Sequence, residues 1–292
     1  MLLLNKKKYS FFKILKKKIE HSISQEIECM GEKNILRDAV EFSLFNGGKR
    51  LRPIIPILIS KNLNKNFDVT KTALACEFFH TASLIADDLP CMDNEKFRRN
   101  KPSLHLKFNE STAILASYSL ISSGYELLLK NSKELNKHLS VDQCNLILAK
   151  AIEIVSKYAG IHGATFGQFL DLFSKNYSYE NICEIIHKKT ISLFEISFLL
   201  GWMYGGGDLD KLDLVKQASF HFGMAFQIAD DLDDFNEDLK KEKKINIAIS
   251  LGKKLSKEYF NNEIIKLKDI LKTLGLDKKP FNLITSFLEE LA

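Results

Sequence analysis

Proline is scarce in this chain, five in 292 residues, and long stretches have none. Proline breaks helices and collects in loop-rich β folds, so its scarcity favours long helices. No run of eighteen apolar residues occurs, so no transmembrane segment is expected. The start, MLLLNKKKYSFFKILKKK, reaches a lysine run too soon to form the apolar core of a signal peptide. Cys29, Cys76, Cys91, Cys144 and Cys183 are odd in number, scattered and never spaced as CxxC. That speaks against zinc and a disulfide framework and for a reducing, cytoplasmic setting. The formal net charge is +5, but no basic stripe carries interleaved aromatics, so nucleic acid is not an expected partner.

What is present is apolar helical periodicity. The hydrophobic fraction of 45% is enough for a core. Apolar spacing predicts helices near 11–29, 35–45, 54–62, 71–88, 111–130, 142–158, 163–174, 180–204, 210–235 and 257–272. Strand-like alternation bounded by turn residues is hard to find. The clearest breaks are Asn46-Gly47-Gly48, Leu89-Pro90, residues 99–102 and Gly205-Gly206-Gly207. None resembles an interdomain linker. The expectation is therefore one all-α domain over residues 1–292, a large helical bundle or barrel with a deep central cavity.

The pentapeptide Ile-Ala-Asp-Asp-Leu occurs at 85–89 and again at 228–232, each time ending an apolar helical stretch. In the second copy Gln227, Asp230 and Asp234 are spaced to share one helix face. Asp231 and Asp233 add charge within the same turn. Unpaired, such charges weaken a helix by a few tenths of a kcal/mol per pair. A cation between them reverses that sign, and hard oxygen donors suit Mg²⁺. In the first copy, Asp87 and Asp88 precede Pro90, which is expected to end the helix, so that Asp93 returns from a loop. His80 lies two turns before Asp87. Arg98, Arg99 and Lys101 follow, and cations beside metal-binding acids make sense if a polyanion bridges them.

A third patch, Gly47-Gly48-Lys49-Arg50-Leu51-Arg52-Pro53, looks like a phosphate-binding turn. It lacks the GxxxxGK[ST] spacing and a preceding strand, which excludes a P-loop. Each feature alone has a plainer reading: a solvated helix end, a wet basic turn, a helix histidine or core phenylalanines. Their conjunction defines a place for metal plus diphosphate.

These strings resemble a known family. GGKRLRP (47–53), HTASLIADDLPCMDNEKFRRNKPSLH (80–105), KT (189–190) and FQIADDLDD (226–234) are similar to the trans-prenyl diphosphate synthases of bacterial and plastid type. The resemblance is collinear from about residue 40 to residue 235. It implies an all-α fold of the isoprenoid synthase type around a deep cavity, usually a homodimer. It also implies head-to-tail condensation of an allylic diphosphate with isopentenyl diphosphate. By position, Asp87, Asp88, Asp93, Asp230, Asp231 and Asp234 would bind Mg²⁺ on the allylic diphosphate. Three ions per loaded site are implied, with Mn²⁺ a possible substitute. Arg98 would also hold that diphosphate, and Lys49, Arg52, His80 and Arg99 would hold isopentenyl diphosphate. Lys189, Thr190 and Gln227 would lie near the reacting carbons and the allylic diphosphate.

After the second cluster the family carries two Gly-Lys units and a Lys-Thr-Tyr-Pro string. Here the chain reads FNEDLKKEKKINIAISLGKK, so Lys240, Lys241, Lys243 or Lys244 are the candidate replacement cations. In the family, the residue five before the first Asp helps set the cavity floor. Ala82 holds that place, beside Ser83, with Phe78 and Phe79 about one turn deeper. Overall likeness to bacterial members points to farnesyl diphosphate, whereas the small Ala82 points to the twenty-carbon geranylgeranyl product. A terpene cyclase would lack the Lys49 and Arg52 site, and a non-catalytic partner subunit would be expected to lose one acid cluster.

Overall fold

The structure, a computed structural model, describes residues 2–242 and 245–291, with side chains from residue 11 onward. The chain is 75% helical. Among the described residues, strand is confined to one antiparallel ladder, β1 (Phe97–Arg98) against β2 (Lys101–Pro102). The all-α expectation holds. Backbone contacts divide the chain into two compact units, one of residues up to 57 and 68–150, the other of residues 58–67 and 151 onward.

The first unit contains α1 (Leu2–Glu28), α2 (Ile35–Leu44), the start of α3 (Leu51–Leu63), α4 (Thr70–Asp87), α5 (Leu104–Lys107), α6 (Glu110–Leu135) and the start of α7 (Val141–Ala159). Its centre is α4, whose buried residues run right round the helix from Thr72 to Ile85. A helix apolar on all sides has to be surrounded, and α6, α1 and α2 pack on α4. Gly124 on α6 makes the closest approach possible. A Cβ there would stand 2.6 Å from the Phe79 ring.

The second unit contains α8 (Ala164–Phe173), α9 (Tyr179–Ile186), a π-helical turn (His187–Ile191), α10 (Ser192–Tyr204), a 3₁₀ turn (Leu209–Lys211), α11 (Leu212–Asp233), α12 (Phe235–Lys240), α13 (Ile247–Leu251), α14 (Lys253–Thr273) and α15 (Asn282–Glu289). Here α10 is central, with every residue buried, and α11 packs on both α10 and α14. Phe194, Phe198 and Phe222 form an aromatic cluster with centroids 5.1–5.3 Å apart for Phe194–Phe222 and Phe198–Phe222.

Most helical expectations hold to within a few residues. Three differ. The helix expected near 11–29 begins at Leu2. The span expected at 180–204 is interrupted by the π turn, where the hydrogen-bond ladder skips a residue. Short α5, α12, α13 and α15 carry too few turns to show a period. Pro53 and Pro56 both lie within α3. Pro53 is in the first turn, where its missing N–H costs little.

Candidate active site

In the first unit the site begins where α4 ends. Asp88 caps α4, and Pro90 follows two residues on. The chain then doubles back, and the Asp93 N–H donates to the Asp87 carbonyl at 2.9 Å. The loop therefore returns Asp93 to the helix end, as the Leu89-Pro90 break predicts. Asp88 is only 4% exposed. Its Oδ1 accepts from Arg98 Nε at 2.9 Å, and Arg98 Nη2 closes the fork. Burial raises the Asp88 pKa, against the pull of Arg98. Burial works against the Arg98 charge as well, but the hydrogen bond to Asp88 and the fields of Asp88, Asp87 and Glu95 outweigh it and raise its pKa.

The hairpin of residues 97–102 delivers the next cation to the glycine turn. Arg99 Nη1 donates to the Gly47 carbonyl at 2.7 Å, and Lys101 Nζ donates to the Phe45 carbonyl at 3.0 Å. Gly48 has φ +102, and a Cβ there would lie 2.4 Å from the Arg99 guanidinium carbon. Glycine is needed at this position twice over, for its backbone conformation and for the space Arg99 occupies.

Arg52 and His80 meet behind this turn. Arg52 Nη1 is 3.2 Å from His80 Nε2. A guanidinium only donates, so His80 accepts there and carries its proton on Nδ1. Burial, followed by the charges of Arg52, Arg99, Arg50 and Arg98, holds the His80 pKa well below 6.5. The imidazole is neutral beside four arginines, a concentration of positive charge suited to a polyanion. Lys49 is exposed on the same turn.

Arg50 has a different job from its neighbours. It is 3% exposed, and its guanidinium donates to Glu77 and to the Leu44 carbonyl. It braces the turn from inside.

The chain-length candidates lie on α4. Ala82 is 2% exposed, and its carbonyl accepts from Ser117 on α6 at 3.0 Å. Ser83 Oγ donates to the His80 carbonyl at 2.9 Å. Phe79 packs edge-on against Tyr125 with centroids 5.2 Å apart.

In the second unit, Lys189 and Thr190 lie on the π turn, both half-buried. Lys189 Nζ donates to the Asp171 carboxylate of α8. Gly167 on α8 lets the two backbones meet, since a Cβ there would stand 2.2 Å from the Lys189 nitrogen. Neither Asp171 nor Gly167 was singled out from the sequence. The available signal was Asp171 as the lone charged residue of the stretch ATFGQFLDLF.

On α11, Gln227 pairs with Asp231, Nε2 to Oδ1 at 2.8 Å, one turn on as the spacing allows. Asp231 is 4% exposed, while Asp230 is half-buried and Asp234 exposed. The second member of each Asp-Asp pair is thus buried, whereas Asp87 and Asp230 are not. Lys240 and Lys241 are exposed, and Lys243 and Lys244 lie outside the described residues.

Among the described residues, no group of three possible ligands already stands at metal-holding distance. The donor set itself is all carboxylate oxygen, the chemistry a hard divalent cation takes, so the residues fit magnesium.

The fold is all-helical, and its first unit gathers arginines, a neutral histidine and the Asp87–Asp88 pair, an arrangement whose charge suits a phosphorylated anion. The chain belongs to the polyprenyl synthetase family, whose pattern matches residues 33–255. It is 33% identical to the heterodimeric geranylgeranyl pyrophosphate synthase large subunit 1 of Arabidopsis thaliana chloroplasts, over 83% of this chain and 62% of that one. The chain therefore spans less than two thirds of that relative. It is 31% identical to the farnesyl diphosphate synthase of Micrococcus luteus, over 82% of this chain and 83% of that one. A solved geranyltransferase from Legionella pneumophila superposes with a TM-score of 0.82 at 27% identity, covering 98% of this chain and 97% of that one. Among the described residues, no helix is long and apolar enough to cross a membrane.

Proposed function

We propose that this protein is a short-chain trans-prenyltransferase. It condenses dimethylallyl or geranyl diphosphate with isopentenyl diphosphate and releases mainly farnesyl diphosphate. The observation that carries the reading is the cation arrangement in the first unit. Arg98 is forked onto Asp88 beside Asp87 and Asp93, while Arg99 and the Arg52–His80 pair gather at the Gly47-Gly48 turn. A protein that holds one diphosphate through metal needs the first group, and one that holds a second diphosphate directly needs the other.

Arg52, Arg99, Lys49 and neutral His80 bind the isopentenyl diphosphate, with the arginine forks matching its oxygens. Arg98 and Lys189 hold the allylic diphosphate as its carbon–oxygen bond breaks. Asp87, Asp88 and Asp93, together with Asp230, Asp231 and Asp234, are the proposed magnesium-side carboxylates. Magnesium, when bound, neutralises the diphosphate and makes it a better leaving group. Thr190 and Gln227 present dipoles to the allylic cation, and apolar walls keep water from it. The isopentenyl double bond attacks that cation, and the proton then lost goes to the released diphosphate. The protein acts as one catalytic domain, as a homodimer, in the cytoplasm.

A second reading, a twenty-carbon product, is favoured by Ala82, the smallest side chain the floor position can carry short of glycine. The test is product analysis of the purified chain with Mg²⁺, isopentenyl diphosphate and, in turn, dimethylallyl, geranyl and farnesyl diphosphates. Farnesyl diphosphate as end product supports the first reading, and elongation of farnesyl diphosphate supports the second. Hydrocarbon formed from an allylic substrate alone would make the protein a cyclase. No product from any pair would leave a non-catalytic partner subunit.

A further inference from the structure

Downstream of the second acid cluster, three elements are joined by one buried carboxamide. Asn246 is 0% exposed, Asp231 4% and Asp238 6%. Asn246 Oδ1 accepts from the Ile249 N–H at 2.9 Å, which caps α13. Its Nδ2 donates to the Asp231 carbonyl at 3.2 Å and to Asp238 Oδ2 at 2.9 Å. The next residue continues the link, with the Ile247 N–H donating to Asp231 Oδ2 at 2.7 Å. Gln227 Nε2 holds the other Asp231 oxygen at 2.8 Å.

Capping alone does not explain this residue. A cap needs one acceptor, and Asp, Ser or Thr would serve as well. Only an amide supplies that acceptor together with two donated hydrogens. Both hydrogens go to groups of α11 and α12, the two elements that flank Asp234. Buried polar groups left without such partners would be costly, so the set stands or falls together.

We propose that Asn246 is a positioning residue of this active site. Through Asp231 and Asp238 it fixes the end of α11, which carries Asp230, and the junction with α12, which holds Asp234. Asp231, grouped above with the magnesium-side carboxylates, then serves chiefly as the anchor of that clamp, since both its carboxylate oxygens already accept hydrogen bonds, and Asp230 and Asp234 take the cation-binding part of the cluster. The inference rests on the prenyltransferase reading and deepens it. It assigns Asn246 to the allylic diphosphate and not to the isopentenyl group.

The test uses the full chain and three variants. Asn246→Asp keeps the cap but puts an acceptor against Asp238. Asn246→Asp combined with Asp238→Asn restores a donor–acceptor pair in reverse. Asn246→Ser keeps the cap with one donor, and it carries the test if Asn246→Asp does not fold. Titration calorimetry measures inorganic pyrophosphate binding in the presence of Mg²⁺, and steady-state kinetics give KM for each substrate. Asn246→Asp is expected to weaken pyrophosphate binding and raise the geranyl diphosphate KM about tenfold, with the isopentenyl KM within about twofold. The reversed pair restores the link to Asp238 but leaves the Asp231 carbonyl without its donor, so it is expected to recover part of the loss, and Asn246→Ser is expected to fall between wild type and Asn246→Asp. Unchanged pyrophosphate binding, equal shifts in both KM values, or no recovery in the reversed pair overturns the clamp. If Asn246→Ser carries the test, wild-type pyrophosphate binding in that variant overturns it. A wild-type chain that binds pyrophosphate but condenses nothing overturns the prenyltransferase reading, while the calorimetric comparison still decides the clamp. A wild type that binds no pyrophosphate overturns both.

Discussion

Gly48→Ala is a perturbation that reaches the proposed isopentenyl side of the site without removing a charge. The backbone at Gly48 has φ +102. A residue with a Cβ in left-handed backbone costs roughly 1–2 kcal/mol, so Tm is expected to fall by roughly 2–8 °C in a chain of this size. The second effect is local. The new methyl would stand 2.4 Å from the Arg99 guanidinium carbon, far inside contact distance. Arg99 is an exposed, flexible side chain, so it yields, and its bond to the Gly47 carbonyl goes with it. Loss of one charge-assisted contact is worth about 1.5–3 kcal/mol, or about ten- to a hundredfold in KM for isopentenyl diphosphate. The allylic KM should change far less. The assay is steady-state kinetics on wild type, Gly48→Ala, Arg99→Ala and the double variant. If the methyl acts by displacing Arg99, the double variant resembles Arg99→Ala alone. Additive effects, or an unchanged isopentenyl KM in Gly48→Ala, would refute the reasoning.

The remaining expectations separate structural from binding roles. Arg50→Met strands the Glu77 carboxylate in the core and should cost about 3–5 kcal/mol in urea denaturation. Arg50→Met with Glu77→Leu should recover most of that, and failure to recover would mean that Arg50 acts through something besides Glu77. Arg52→Met should instead leave stability nearly intact and raise the isopentenyl KM, which kinetics and melting on the same sample will show. Ala82→Tyr should shift products toward shorter chains, and an unchanged chain-length profile would remove Ala82 from the floor. Burial and the surrounding arginines keep the folded-state pKa of His80 well below 6.5, so below about pH 6.5 the unfolded state binds the proton and the folded state does not. Stability is therefore lost as pH falls below that point, by up to about 1.4 kcal/mol per pH unit from this group. His80→Gln should flatten the acid limb of a stability–pH curve. An identical limb would show that His80 is not the group responsible.

Much of this protein was legible in the chain itself. Helical content followed from a local period, because the residues that make one helix face lie three and four apart in sequence. The acid clusters and the GGKRLRP turn were legible for a similar reason, since their chemistry sits in consecutive residues. Pro90 foretold both the end of α4 and the return of Asp93, a bend completed within one turn. What each charged residue does was decided only by its partners. Arg50 and Arg52 read alike in sequence, yet Arg50 is buried on Glu77, twenty-seven residues away, while Arg52 meets His80. Asp87 and Asp88 are adjacent carboxylates, and the helix turn between them leaves one half-buried and sends the other inward to Arg98. Asn246 offered at most a local cap signal for α13, three residues from Ile249, because its bonds to Asp231 and Asp238 join α11 and α12 only on folding. Sequence fixes which groups exist and the short-range geometry among them. Burial and pairing are long-range quantities, and they divide otherwise equal side chains into those that brace the fold and those left available to bind.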